Sequence, residues 1–131
     1  MVIVGAMSQE NVDTIRTIYR AFNERRLEDI MPLCHEDVEW HQVGPFPESN
    51  VYRGREQLGS LFGMFLDTFD DFRFDIDKLL DSGDHVVVIG NARATGGASG
   101  LELDTGFVHV CRLHDGLVVW GYDCAGPERS F

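Results

Sequence analysis

Asp123 stands near the end of the last apolar run of the chain, and Arg93 near the end of an earlier one, His85 to Thr95. A carboxylate and a guanidinium meeting in an apolar cavity make acid–base chemistry. Desolvation drives the carboxyl pKa up, the guanidinium pulls it down, and a group poised this way serves as a general acid or base. In that arrangement Asp123 moves the proton, and Arg93 orients it or stabilises an oxyanion. Asn91 shares a side with Arg93, and Gln42 lies on an earlier alternating segment; their amides suit substrate polar atoms or a water. Trp40, two residues before Gln42, supplies wall. Tyr19 lies on a helical stripe from which its hydroxyl reaches a cavity, although a packed core tyrosine is the plainer reading. The plain alternative for Asp123 and Arg93 is an ion pair at a sheet edge, and alternation alone leaves open which side faces inward. His109 and Cys111 share one face of their strand, and that face reads at least as well as an outer one where a second copy packs.

Other chemistries find no support. The five histidines, His35, His41, His85, His109 and His114, form no HxH, HExxH or paired Cys/His spacing, so no metal site is expected. Gly96 to Gly100 lacks the lysine and following helix of a phosphate loop, and there is no GxGxxG or GxSxG, so no cofactor is expected. Eleven Lys+Arg against twenty-two Asp+Glu give a net charge of −11. That balance disfavours nucleic acid and anionic membrane surfaces as partners. Cys34, Cys111 and Cys124 are odd in number with no CxxC, which argues against a disulfide framework and for a reducing, cytoplasmic setting. No apolar run is long enough to span a membrane.

The elements that must position these residues read in order. With 131 residues, one domain is expected, over 8–131. Met7 offers an alternative start, which makes 1–7 a flexible N-terminal extension. Ser8 reads as the cap of a helix whose stripe is Val12, Ile15, Ile18, Tyr19 and Phe22. A short helix from near Leu27 carries Ile30, Met31 and Cys34, limited by Pro32. Asp37 to Val43 alternates as a strand. Residues 44–54, with two prolines and two glycines, read as a long loop able to fold over a pocket. Leu58, Leu61, Phe62, Phe65, Leu66 and Phe69 make a broad helical face of core residues, with Gly59 and Gly63 permitting close packing on another. From Phe72 onward the pattern is β: alternation to a turn at 81–84, the run from His85, a strand from Leu101 to Leu113 with a possible bulge at Gly106, a tight hairpin at His114-Asp115-Gly116, and a last strand from Leu117. Helices segregated from hairpin-linked strands mean an α+β fold with a mostly antiparallel sheet.

Tyr19-Arg20-Ala21-Phe22-Asn23, Leu27-Glu28-Asp29-Ile30 and His35-Glu36-Asp37-Val38-Glu39-Trp40 together resemble the nuclear transport factor 2-like superfamily. Tyr52-Arg53-Gly54-Arg55-Glu56, Phe107-Val108-His109-Val110 and His114-Asp115-Gly116-Leu117-Val118-Val119 look like its SnoaL-like branch, and the resemblance covers about residues 8 to 127. It implies a cone, three helices packed in the concave face of a strongly curved sheet, with a pocket at the wide end and homodimers through the outer sheet face. It implies no single activity, because the superfamily holds polyketide cyclases, ketosteroid isomerases, limonene epoxide hydrolases, dehydratases and non-catalytic binding domains. The general base of the ketosteroid isomerase pattern falls at Gln42, and its oxyanion-hole residues at Ile18 and Val108, so all three are replaced. The epoxide hydrolase pattern has an Arg-x-Asp pair where Asn91-Ala92-Arg93 stand, and a last-strand Asp where Gly126 stands, three residues after Asp123. In that register Asn91, Arg93, Asp123 and Gln42 share the cavity. The expected function is cofactor-independent acid–base chemistry (cyclisation, isomerisation or epoxide-hydrolase-like hydration) on an apolar oxygenated molecule. The alternative is a non-catalytic ligand-binding homodimer.

Overall fold

A computed structural model describes residues 3–42, 50–96 and 101–124 of the protein. The chain runs α1 (Ile3–Asn23), two consecutive 3-10 turns (Leu27–Asp29 and Met31–Leu33), β1 (Cys34–Gln42), β2 (Asn50–Arg53), α2 (Gly54–Thr68), β3 (Asp70–Ser82), β4 (His85–Gly96), β5 (Leu101–His114) and β6 (Leu117–Cys124). Three helical segments in the first half pack on one six-stranded sheet ordered β2-β1-β6-β5-β4-β3. This is the α+β cone. Every strand pairing is antiparallel except β1 with β6, which is parallel.

Val12, Ile15, Tyr19 and Phe22 are the buried stripe of α1, three and four residues apart. The helix begins at Ile3, so Ser8 lies inside it and is not its cap. Ala6 and Met7 are good helix formers and carry it past that point. At its other end Asn23 imitates a strand neighbour. Its Nδ2 donates to the Phe74 carbonyl and its Oδ1 accepts the Phe74 N–H, both at 2.9 Å. That pair ties α1 to β3, an outer strand of the sheet. The middle helical segment is two 3-10 turns rather than one α-helix, with Pro32 at the start of the second. Proline has no N–H to continue an α-helical ladder. Ile30 between the turns is fully buried.

Gly54 opens α2 at φ +84°, a conformation that side chains with a Cβ rarely adopt. Leu58, Leu61 and Phe65 are its buried face, and Arg55 locks its start to β1 through two bonds to the Cys34 carbonyl, at 2.9 and 2.7 Å. Gly59 and Gly63 face open space, so the expected close packing is absent there. The segment expected as a loop contains β2, pairing Asn50 to Arg53 with Gln42 to Glu39; its residues 44–49, and position 43 before them, lie outside the described residues.

The sheet bends where one strand has an extra residue. β3 carries one between Asp70 and Arg73, where Asp71 sits at φ 53°, and another at Asp77, because Ile76 faces Gly90 and Lys78 faces Ile89. Gly90 is required at that bend: a Cβ there would run into the Asp75 carbonyl. Gly106 pairs regularly with Asn91, so the bulge expected there does not form. Asp115 and Gly116 both have positive φ, 52° and 78°, which closes the β5–β6 hairpin as a type I′ turn. Just beyond it, Leu113 faces Val118 but Arg112 faces Trp120, leaving Val119 as an extra residue in β6.

Candidate active site

The Val119 bulge builds the site. Counted back from the hairpin without it, His109 would face Tyr122. With it, His109 faces Asp123 and the two side chains stand together on the concave face. Parallel pairing then sets Trp40 of β1 against Gly121 and His41 against Tyr122, which brings Gln42 to the level of Asp123. Gly121 makes room for the edge of the Trp40 indole against β6, since a Cβ there would run into its Cε3 and Cζ3 atoms. Tyr19 enters from the buried stripe of α1.

These five side chains form one chain of polar contacts. Trp40 Nε1–H donates to Gln42 Oε1 at 2.8 Å, and Gln42 Nε2–H donates to Asp123 Oδ2 at 2.7 Å. His109 Nε2 lies 3.4 Å from Asp123 Oδ1, and the Tyr19 hydroxyl lies 2.5 Å from His109 Nδ1. The sense of each link follows from the indole, which donates and cannot accept. Gln42 must therefore present its oxygen to Trp40 and its NH2 to Asp123. A carboxylate accepting there favours a proton on His109 Nε2, which leaves Nδ1 as a lone pair and makes Tyr19 the donor to it. Gln42, His109 and Asp123 are the only buried polar or charged residues among those described, at 6%, 6% and 9% exposure, and all three belong to this chain. Among the described residues no buried side-chain nitrogen or oxygen lacks a partner.

Burial, reinforced by the charges of Cys111 and Asp123, pushes the Tyr19 phenol well above its usual range, so it stays a hydroxyl. Burial likewise pushes the Cys34 thiol up to about 11 and the Cys111 thiol up to about 12, the latter with help from Cys34. Burial and then Asp123 raise Cys124. None of the three thiols is poised as a thiolate nucleophile.

The chain of contacts borders an apolar, partly open cavity of ≈100 Å³ between the helices and the sheet, walled by Phe22, Phe62, Phe74 and Phe107 among others. Packed rings continue from wall to site: Phe107 and His109 are tilted with centroids 4.4 Å apart, and Trp40 meets His109 edge-on at 5.0 Å.

Of the residues expected at the site, Asp123, Gln42, Trp40 and Tyr19 come together. Asn91 and Arg93 do not. Val86, Val88, Ala92 and Ala94 are the buried side of β4, so Asn91 and Arg93 lie on the convex face. Asn91 Nδ2 donates to Asp104 Oδ1 at 2.8 Å, and Arg93 Nε lies 3.4 Å from Asp75 Oδ2 and 3.7 Å from Asp104 Oδ1. Arg93 is thus a half-exposed surface ion pair and orients nothing at Asp123. The expectation failed because Val87 and Ile89 make the outer side of β4 apolar too. His109, whose face the sequence leaves open between inner and outer, is the partner expected in Arg93. The sequence signal was its alternation with Phe107 and Cys111, but only the unpredicted bulge pairs it with Asp123.

Among the described residues, no group of three or more His, Cys, Asp or Glu is arranged to hold a metal ion, and no helix is long and apolar enough to cross a membrane.

A cone with a single polar chain at an apolar cavity is the architecture of small-molecule pocket proteins. The family model for the SnoaL-like domain matches residues 15–120, and the chain belongs to that family. Among solved structures it is similar to Bal32a from a soil-derived mobile gene cassette, with 28% identity over 90% of each chain and a TM-score of 0.83. It shares its fold with TerC, co-crystallised with polyporic acid (24% identity, 88% of this chain and 91% of that one, TM-score 0.78). It also shares it with IdmH, a candidate polyketide cyclase from Streptomyces antibioticus (23% identity, 87% and 90%, TM-score 0.75). No curated protein sequence matches the chain.

Proposed function

We propose that the protein is a cofactor-independent acid–base enzyme acting on a small, apolar, oxygenated molecule. Asp123 is the proton-transferring group, His109 its partner, and Tyr19 the residue that holds the imidazole. The observation that carries this reading is the placement of Gln42, His109 and Asp123, the buried polar side chains among the described residues, in one chain of polar contacts on the wall of an apolar cavity. Groups kept out of water with defined partners suit proton transfer, and one such group contributes about 10²–10⁴-fold in rate. Gln42 and Trp40 hold the carboxylate in place, and Asn91 and Arg93 have no part. The candidate polyketide cyclase among the fold neighbours suits cyclisation as the reaction class. Asp123→Asn keeps the shape and should fold normally by circular dichroism while losing about 10²–10⁴-fold in turnover of any substrate found. A variant as fast as the parent removes Asp123 from the chemistry.

Assembly as a homodimer through the convex face has its own support. Leu80, Val87, Val110, Tyr122 and His41 make one row across five strands, and Leu80 and Tyr122 are exposed at 46% and 38%. An apolar row on a sheet's outer side is a common subunit interface. Light scattering should give twice the 14.8 kDa chain mass for the parent and the single mass for Tyr122→Asp.

A further inference from the structure

The polar chain restricts what the cavity can hold, because most of its donors are already spent. Trp40 gives its one N–H to Gln42, Gln42 gives one of its two N–H groups to Asp123, and Tyr19 gives its O–H to His109. Beside the weakly donating thiols of Cys34 and Cys111, what remains toward the cavity is chiefly acceptor capacity. A carboxylate has about four lone-pair sites, and Asp123 has two neighbours on it. The His109 Nε2–H is the one donor held loosely, at 3.4 Å, beyond the range of a tight hydrogen bond. Thr105, the other hydroxyl on the wall, answers either way. A ligand group that both donates to a carboxylate and accepts from an imidazole N–H is a hydroxyl. A carbonyl or ether accepts only and would turn its lone pairs toward Asp123. A carboxylate ligand would meet Asp123 as a like charge out of water, and an ammonium would surrender its hydration to walls of phenylalanine.

From this donor and acceptor count we infer that the cavity takes an uncharged molecule bearing a phenolic or enolic hydroxyl, which donates to Asp123 and accepts from His109. The inference rests on the reading of the cavity as a small-molecule site and specifies its substrate class. It also makes the site the opposite of an oxyanion hole: a bound phenol does not lose its proton to water, because that would place a second negative charge beside Asp123, and the proton can pass only to Asp123 itself.

Two measurements on the full chain test it. Calorimetric titration with phenol, anisole, acetophenone, benzoate and benzylammonium should give phenol the tightest binding, by at least about tenfold over anisole, the scale of one hydrogen bond to a charged group. In Asp123→Asn, whose amide donates as well as accepts, that ratio should collapse toward one. Anisole or acetophenone binding as tightly as phenol to the parent, or benzoate or benzylammonium binding tightest, overturns the hydroxyl inference and leaves the cavity reading standing. Failure of every compound to bind overturns the cavity reading and the inference with it. The second measurement is the colour of 4-nitrophenol near neutral pH, where water holds both its forms. Adding protein should reduce the yellow phenolate absorbance, whereas a deepening yellow would mean that the site stabilises an oxyanion and would overturn the inference.

Discussion

The concave and convex faces of the sheet each carry a cluster of carboxylates and bases. Inside, Asp123 meets His109, Gln42 and, through them, Tyr19 and Trp40. Outside, Asp75 and Asp104 meet Arg93, Arg73 and Asn91 at similar distances. The residue types are alike and the surroundings are not. His109 and Asp123 have side-chain exposures of 7% and 12%, against 46% for Arg93 and 59% for Asp104. Water screens the outer cluster, so its geometry has little energetic consequence. Around the inner cluster, each missing partner leaves a buried group unsatisfied, so its geometry is enforced. Chemistry belongs to the face where position is costly to change.

The largest effect that separates inside from outside is alkaline. Cys34 and Cys111 line the cavity, and their thiols are raised in the folded chain from 9.0 to about 11 and about 12. A raised folded pKa means stability fully present below pH 9 and lost as pH rises through 9 to 11, where only the unfolded chain gives up those protons. Each thiol should steepen the loss by about 1.4 kcal/mol per pH unit. Urea titrations between pH 8 and about 11 should show that slope, and Cys34→Ala/Cys111→Ala should flatten it. An equally steep curve in the double variant would move the effect elsewhere. Next comes Gly121→Ala, which drives a methyl into the Trp40 ring and should cost about 1–3 kcal/mol by overpacking. Trp40→Ala should cancel most of that cost, and a double-mutant cycle with no coupling would contradict the packing described. Tyr19→Phe removes the donor to His109 Nδ1 and should cost about 1 kcal/mol in thermal or urea unfolding. The smallest effect belongs to the outer cluster: Arg93→Ala should change stability by less than about 0.5 kcal/mol and leave ligand binding untouched. A large loss there would erase the distinction between the faces.

Much of this was legible in the chain. The spacing of Val12, Ile15, Tyr19 and Phe22, the apolar face of Leu58, Leu61 and Phe65, and the Asp115-Gly116 turn follow from local geometry, and local geometry is what sequence pattern encodes. Four of the six expected site residues come together because Tyr19, Trp40, Gln42 and Asp123 lie on apolar faces that the core demands. What was not legible depends on pairing between distant segments. The extra residue at Val119 leaves no mark in a run of Leu117, Val118 and Val119, yet it decides whether His109 meets Asp123 or Tyr122. The parallel β1–β6 contact joins segments about eighty residues apart, and alternation within one strand carries no signal for it. Which side of β4 faces inward is not legible, because both of its sides are apolar near the hairpin, one for the core and one on the convex face. β2 is four residues between proline- and glycine-rich neighbours, too short to show a period.

The central claim is that the inner chain runs in one sense, from Trp40 as pure donor to Asp123 as acceptor, with His109 presenting its Nε2–H to the carboxylate and its lone pair to Tyr19. Long-range 1H–15N correlation NMR of the histidine rings reads this directly. The account predicts that neutral His109 is the Nε2–H tautomer and keeps it in Arg93→Ala. A His109 found with its proton on Nδ1 would reverse the Tyr19 bond, turn a lone pair toward Asp123, and contradict the account.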